Sequence, residues 1–251
     1  MQSVVKVASW LKMISKTLFF YVISYLFFLI LLWTSKEKRG LRVFDDKGLA
    51  DNLPMLIALH VGGIFLFGVI PLISSHPGTF RFLNVDLAGR LSTWITVIMF
   101  ILSLIITPRI IKKKFSQLEE NTPVYTSPGT PFYMVYFFIR FMFIGVYECW
   151  FRGFLLTDCI ISFGIGWAIL INVCLYAVLH IVNGKDEVIA CIPYGLLLCT
   201  LCIWQGAVWP AVVIHLALTI PYELGFIRKM KTKISLQNES VDNRSLGLYR
   251  K

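Results

Sequence analysis

The chain has 251 residues, of which 57% are hydrophobic and only 15% are charged. This composition excludes an ordinary soluble globular domain, in which about a quarter of the residues carry charge. The net charge of +10 does not predict a nucleic-acid partner, because Lys and Arg are expected in the loops of a membrane protein for reasons of topology. The first predicted partner is therefore the lipid bilayer, and no nucleic-acid partner is predicted.

Stretches without formal charge occur along the whole chain, and about 20 apolar residues of helix are enough to cross a bilayer. Five such stretches follow one another: Thr17–Trp33, Met55–Ser75, Leu91–Pro108, Cys159–Asn183 and Val188–Tyr222. The last is too long for one crossing and is predicted to cross twice. Pro131–Tyr147, which is apolar except for Arg140, adds one more helix. The predicted fold is all-α, a polytopic transmembrane helical bundle with seven helices.

The segment before the first stretch leaves the helix count at the N-terminus open. Lys6, Lys12 and Lys16 are interspersed with apolar residues there. This pattern fits either an interfacial amphipathic helix, which would be an eighth helix, or a simple tail. The first stretch itself is predicted to be a retained anchor, because no small-residue cleavage site follows it.

Lys and Arg are distributed unevenly between the two sides of the predicted bundle. The loops after helices 1, 3 and 5 and the C-terminal tail carry 17 of them, and the other side carries 6. The positive-inside rule then places the C-terminus in the cytoplasm and the N-terminus outside, and the expected location is the plasma (inner) membrane. Three regions are predicted: 1–127 with the first three helices, a functional core at 128–226, and a polar, flexible cytoplasmic tail at 227–251.

Ionisable residues inside membrane helices are costly and by default indicate a function or a partner. Glu148 and His180 are 32 residues apart, and the turn-like Gly164 lies midway between them. An antiparallel helix pair folded at this glycine brings both side chains to the same depth. His215 follows a second predicted turn, at Gly206, by nine residues. We therefore expect one Glu and two His to converge in a buried pocket.

Two further positions have simpler interpretations. His60 is interpreted as a satisfied packing or interface residue of the N-terminal helices. Arg152 lies four residues after Glu148 and therefore on the same helix face. This pair is interpreted either as part of the site or as two buried charges that only neutralise each other.

Three short motifs contain these residues: Tyr147–Gly153 (YECWFRG), Tyr176–His180 (YAVLH) and Trp209–Thr219 (WPAVVIHLALT). In order, spacing and helix placement they resemble the Glu-Glu-x-x-x-Arg, aromatic-x-x-x-His and His-x-x-x-Asn motifs of the CAAX-protease and bacteriocin-processing (CPBP) family. This family of intramembrane endopeptidases includes CAAX prenyl protease 2 and Abi-like proteins. The resemblance covers roughly residues 128–225.

The resemblance implies hydrolysis of a peptide bond by an activated water, without a covalent intermediate. Glu148 and His180 would activate the water, while His215 and Thr219 would stabilise the oxyanion. The implied substrate is a peptide or lipidated peptide near the cytoplasmic face, such as a prenylated C-terminus or a leader peptide. No cofactor is implied.

Two positions depart from the family motifs. Tyr147 stands in place of the first Glu, and a phenol with an ordinary pKa of about 10 is a poor base. Thr219 stands in place of the Asn, but its hydroxyl can still donate a hydrogen bond to an oxyanion. Both Tyr147 and Arg152 are predicted to support the site rather than to perform the reaction.

Three other interpretations remain open. The chain fits a degenerate, non-catalytic relative that acts as a scaffold or an immunity or partner-binding protein, and Tyr147 favours this interpretation. Glu148, His180 and His215 would also suit three ligands of a zinc ion, although the His-Glu-x-x-His signature is absent. A small transporter or channel would also use buried charges, but the polar residues of this chain cluster in one half.

Overall fold

The structure is a computed structural model that describes residues 2–38, 40–41, 44–45, 48–49, 52–74, 91–116 and 129–248. Within these residues, seven helical segments are long and apolar enough to cross a membrane: Lys16–Glu37, Leu53–Ile73, Leu91–Lys113, Thr130–Phe163, Ile165–Asn183, Lys185–Gln205 and Trp209–Lys229. Large apolar side chains remain exposed on each of these segments, where they can contact lipid. The predicted all-α polytopic bundle is confirmed, and the protein is an integral membrane protein.

Within the described residues, nine α-helices form the bundle. They are α1 (Gln2–Glu37), α2 (Leu53–Ile64), α3 (Ile70–Ser74), α4 (Leu91–Ser116), α5 (Thr130–Glu148), α6 (Leu156–Phe163), α7 (Ile165–Leu179), α8 (Lys185–Gln205) and α9 (Trp209–Leu248). Two π-helical segments, Phe65–Val69 and Cys149–Leu155, continue α2 and α5, and a 3₁₀ turn, Ile181–Asn183, follows α7. Two short antiparallel strands, β1 (Phe44–Asp45) and β2 (Gly48–Leu49), pair between α1 and α2.

Glycines end the helices where the sequence predicted turns. Gly164 has φ 81° and separates α6 from α7, and Gly206 has φ 69° and ends α8. These are backbone conformations that favour glycine, which has no Cβ. Both predicted turns are therefore confirmed.

The prediction of one span over Cys159–Asn183 is wrong at its start, because residues 159–163 complete the preceding span before the Gly164 turn.

The two ends of the chain also differ from the expectations. The N-terminal segment is continuous with the first span in one unbroken helix, α1, so the structure shows no separate eighth helix there. The tail that was expected to be flexible continues α9 as far as Leu248. No proline follows Pro221 in the sequence to interrupt that helix. The predicted boundary between residues 127 and 128 lies outside the described residues.

Aromatic side chains fill the centre of the bundle where the two π-helical segments meet. The rings of Phe67 and Trp150 lie 4.7 Å apart between centroids, and Tyr25 stacks on Trp150 at 6.1 Å. Tyr21 donates a hydrogen bond of 2.8 Å to the buried carboxyl group of Asp158, which ties α1 to α6. This packing holds the π-helical segment Cys149–Leu155 against the first two spans.

Close approach of α2 to its neighbours depends on Gly63. A Cβ atom at this position would overlap the ring of Phe143 on α5 and would lie 2.8 Å from the ring of Phe28 on α1. Small residues let membrane helices approach closely and gain van der Waals contact. The position of α2 beside α5 therefore requires a glycine here.

We expect Gly63→Ala to lower the free energy of unfolding by about 1–3 kcal/mol, the usual cost of overpacking a tight interior. The matched control is Gly145→Ala on α5, where an added Cβ meets no atom within 4 Å. Both changes gain similar helix propensity, so the difference between them isolates the packing term. Thermal unfolding in detergent measures both variants, and equal melting temperatures would contradict the expectation.

Candidate active site

A cavity of about 450 Å³ lies between the helices of the C-terminal half and the first two spans. Four of the residues singled out in the sequence line it: Tyr147, His180, His215 and Thr219. One end of the cavity reaches the 3₁₀ turn and the start of α8, where Asn183, Asp186 and Glu187 contribute to the wall. These four predicted residues therefore share one cavity, although they come from α5, from the residue that caps the end of α7, and from α9.

Glu148 lies behind the cavity wall with no exposed surface. Its Oε1 atom is 2.6 Å from Nδ1 of His215, and its Oε2 atom is 3.5 Å from Nε of Arg152. An ionised carboxylate only accepts hydrogen bonds, so Nδ1 of His215 carries the proton in this pair. Because the two ring nitrogens lie on different edges of the imidazole, this arrangement leaves Nε2 of His215 for the cavity.

Arg152 is held by more than its contact with Glu148. It donates a hydrogen bond through Nη1 to Oδ1 of Asn172, and its guanidinium lies 4.6 Å from the ring centroid of Tyr176. Asn172 in turn donates to the carbonyl oxygen of Phe151 at 2.5 Å. The contact between Arg152 and Glu148 is an ion pair without hydrogen-bond geometry. The guanidinium of Arg152 is thus held on α7. Its ion pair with Glu148 is one of two contacts that this carboxylate makes.

His180 has the same tautomer arrangement as His215. Its Nδ1 atom is 2.9 Å from the carbonyl oxygen of Tyr176, and a carbonyl accepts but never donates. Nδ1 therefore carries the proton, and Nε2 is the acceptor nitrogen of the ring. The ring of Tyr176 also packs against the imidazole, with centroids 4.7 Å apart.

Two phenol groups in the cavity wall are buried without a hydrogen-bond partner within the part of the chain that the structure describes. They belong to Tyr147 and Tyr194. Both rings pack edge-on against the imidazole of His215, with centroids about 6.0 and 6.1 Å away. Burying a hydroxyl without a partner costs free energy. Such groups in a cavity wall are available to a bound ligand.

A second polar cluster lines the same cavity closer to its charged end. Arg140 donates through Nε to Oε1 of Glu223 at 3.1 Å and through Nη1 to Nε2 of His60 at 2.9 Å. Tyr136 donates to the other oxygen of Glu223 at 2.9 Å. The structure therefore gives His60 a polar partner, as expected of a satisfied residue, and also places it in the cavity wall.

Sequence reasoning missed Glu223 and Asn172. Glu223 directly follows the apolar stretch that was taken to end at Tyr222, whereas the span continues to Lys229. A helix extended by two turns from Tyr222 would have placed this carboxylate inside the membrane. Asn172 is an uncharged polar residue within an apolar run, and such a residue carries little signal without knowledge of its neighbours.

The residues present do not form a metal site among the described residues: no group of three or more His, Cys, Asp or Glu side chains is arranged to hold an ion. The physical reason lies in the contacts of the three ligands that the zinc interpretation required. Glu148 is directed toward His215 and Arg152, and His180 faces a backbone carbonyl through Nδ1. This geometry gives the zinc interpretation no support.

Comparison with known families adds an independent observation. Residues 129–220 match the family model described as type II CAAX prenyl endopeptidase Rce1-like. The resemblance to the CPBP family noted in the motifs is thereby confirmed for a segment that contains all six predicted site residues. No curated protein and no solved structure showed a significant match to the chain.

Proposed function

We propose that this protein is an intramembrane endopeptidase that hydrolyses a peptide bond near the cytoplasmic face of the membrane. The observation that carries the proposal is the 2.6 Å contact between Nδ1 of His215 and the fully buried Glu148, with the imidazole itself in the cavity wall. A buried carboxylate behind a histidine fixes the tautomer and stabilises the imidazolium that forms when the ring accepts a proton. The family match supports the same class of reaction.

The tautomers of the two histidines suggest how a water molecule is held. Nε2 of His215 and Nε2 of His180 are acceptors on two rings that line one cavity, and the proposed water donates one hydrogen bond to each. His215 removes the proton as the water oxygen attacks the scissile carbonyl. The proton then passes from Nε2 of His215 to the nitrogen of the leaving amine as the C–N bond breaks. Glu148 acts on the water through His215 rather than directly.

The oxyanion of this reaction needs donors, and the cavity provides two hydroxyl groups for that purpose. Thr219 stands at the position of the family's Asn, and the buried phenol of Tyr147 has no hydrogen-bond partner among the residues that the structure describes. Tyrosine and serine or threonine hydroxyls are established kinds of oxyanion donor. Tyr147 is therefore assigned to the oxyanion, because it is a poor base but a competent donor.

The substrate class proposed is a peptide with a prenylated C-terminus, in keeping with the match to the type II CAAX prenyl endopeptidase family. The exposed apolar surfaces of the spans place lipid around the cavity, which suits a lipidated peptide.

A second candidate function is peptide binding without hydrolysis. The departure that favours it is Tyr147, which replaces a glutamate of the family motif.

The first prediction concerns the histidine and its carboxylate. We expect His215→Ala to lower kcat by about 10²–10⁴, the usual contribution of a general base. Glu148→Gln should lower kcat as well, because an amide cannot stabilise the imidazolium by its charge. Cleavage of fluorogenic prenylated peptides by the purified protein in nanodiscs measures both effects. A His215→Ala variant that retains wild-type kcat would contradict the assignment.

The second prediction separates catalysis from binding alone. Tyr147→Phe should lower kcat by about 10²–10³, the loss typical of one oxyanion donor. Tyr133→Phe, on the same helix but outside the cavity wall, is the matched control and should leave kcat unchanged. If the wild type does not cleave while Tyr147→Glu gains cleavage, the protein is the non-catalytic relative and the proposed reaction is wrong.

The third prediction concerns orientation. We propose that the C-terminal extension of α9 lies in the cytoplasm, together with the charged end of the cavity. The tail contains two acceptor sequences for N-glycosylation, Asn238-Glu239-Ser240 and Asn243-Arg244-Ser245. Translation into microsomes should leave both unmodified. An added N-terminal extension with one acceptor sequence should be glycosylated, and a glycosidase-sensitive shift from the native tail would reverse the orientation.

A further inference from the structure

The exposed face of α4 changes from apolar to basic near the C-terminal end of the helix. Four large apolar side chains are exposed on it at intervals of three or four residues: Trp94, Ile98, Ile101 and Ile105. The same spacing continues to Arg109 and Lys112, which are both exposed, as is the adjacent Lys113. Residues three or four apart share one face of an α-helix. Arg109 and Lys112 therefore lie on the lipid-facing side of α4, directly beyond its apolar part.

Another side of the same helix turn faces the interior of the protein. Ile110 lines the cavity together with Asp186 and Glu187. Successive residues of an α-helix project about 100° apart, so Arg109 and Lys112 leave the helix on other sides than Ile110. α4 itself contains no Asp or Glu. Its two cations are thus directed toward the lipid headgroup region rather than toward the carboxylates of the cavity.

A further exposed cation comes from α9, which runs parallel to α4. Ile95, near the start of α4, packs against the cluster that contains Ala211, near the start of α9. Toward the other end, a Cβ atom at Gly225 would lie 2.6 Å from Cδ1 of Ile111. Arg228 is exposed and follows Gly225 by three residues, and no Asp or Glu occurs in the ten residues after this glycine. Helix packing therefore holds Arg228 at the same end of the bundle as the cations of α4.

We propose that Arg109, Lys112 and Arg228 bind the phosphate headgroup of an anionic phospholipid. The acyl chains lie along the apolar stripe of α4, and the cations meet the headgroup where that stripe ends. Arginine binds phosphate in a planar, bidentate way, and lysine adds a point charge. A bound anion also offsets the repulsion among cations that packing holds close together. This end of the bundle is the one proposed to face the cytoplasm, where the leaflet contains anionic lipids.

Two simpler roles for these cations make different predictions. A role in topology alone requires only positive charge on this side of the membrane, and it predicts no preference among lipids. A general attraction from the net charge of +10 predicts that loss of any exposed cation has the same effect. A specific site predicts that loss of Arg109, Lys112 or Arg228 has a larger effect than loss of other cations.

The test is native mass spectrometry of the full-length protein in detergent, titrated with phosphatidylglycerol or with phosphatidylcholine of the same acyl chains. Each Lys or Arg near an anionic surface contributes about fivefold in affinity, so the first phosphatidylglycerol should bind about tenfold or more tightly than the first phosphatidylcholine. The double variant Arg109→Gln with Lys112→Gln should lose this preference, and Arg228→Gln should lower it about fivefold. Unchanged binding of phosphatidylcholine shows that the variants are folded.

Lys185→Gln is the matched control, because Lys185 is exposed at the start of α8, at the same end of the bundle but beside Asp186. It should keep the wild-type preference, and so should the charge-conserving double variant Arg109→Lys with Lys112→Arg. Equal binding of the two lipids by the wild type overturns the proposal. An unchanged preference in the Gln double variant, or an equal loss in Lys185→Gln, also overturns it.

A competition experiment separates a lipid site from a site for soluble phosphate. Glycerol 3-phosphate is added to the complex with phosphatidylglycerol at the lipid concentration that half-saturates the protein. It should displace little lipid, because it lacks the acyl chains that lie along α4. Equal competition by glycerol 3-phosphate would reject the lipid site. Because α4 lies outside the segment that matches the endopeptidase family and the readout is lipid binding, failure of the proposed reaction leaves this result unaffected.

Discussion

An ionisable group in the interior of a membrane protein needs a partner, and this constraint governs the arrangement of the spans. Bulk water is not available there to solvate an unpaired charge. Glu148 meets His215 and Arg152, and Arg140 meets Glu223. These contacts join α5 to α9 at two depths. The pairs determine how the helices are rotated, because each side chain must face its partner across the interface.

The same constraint determines the chemistry available in the cavity. A histidine whose Nδ1–H is committed to a carboxylate or a carbonyl can present only Nε2 to the cavity, and this holds for both His215 and His180. The contacts that pair the buried groups therefore also set the geometry on which the proposed reaction depends. Asn172 contributes by holding Arg152 on α7, so the carboxylate of Glu148 is shared between a histidine and an arginine that already has another partner.

Much of the fold was predictable, because apolar length alone identifies a membrane span. The Gly164 and Gly206 turns were also predictable, since glycine was the turn-like residue at each place. The charged partners were predictable only where a motif contained them, as for Glu148, His180 and His215. Glu223 and Asn172 were missed because their importance lies in contacts with residues more than 15 positions away, and one sequence does not report such contacts.

Tyr147 stands where the family motif has a glutamate. This difference replaces a carboxylate in the cavity wall by a phenol. A carboxylate at this position would add a second negative charge beside Glu148, and the nearby arginine would then face two anions. The phenol removes that charge and leaves a buried donor in the wall. A peptide that enters the cavity must satisfy its own backbone groups away from bulk water. The hydroxyls of Tyr147 and Tyr194 have no hydrogen-bond partner among the described residues, so both can donate to a carbonyl bound in the cavity. In the proposed reaction this position therefore offers a hydrogen-bond donor in place of a carboxylate base.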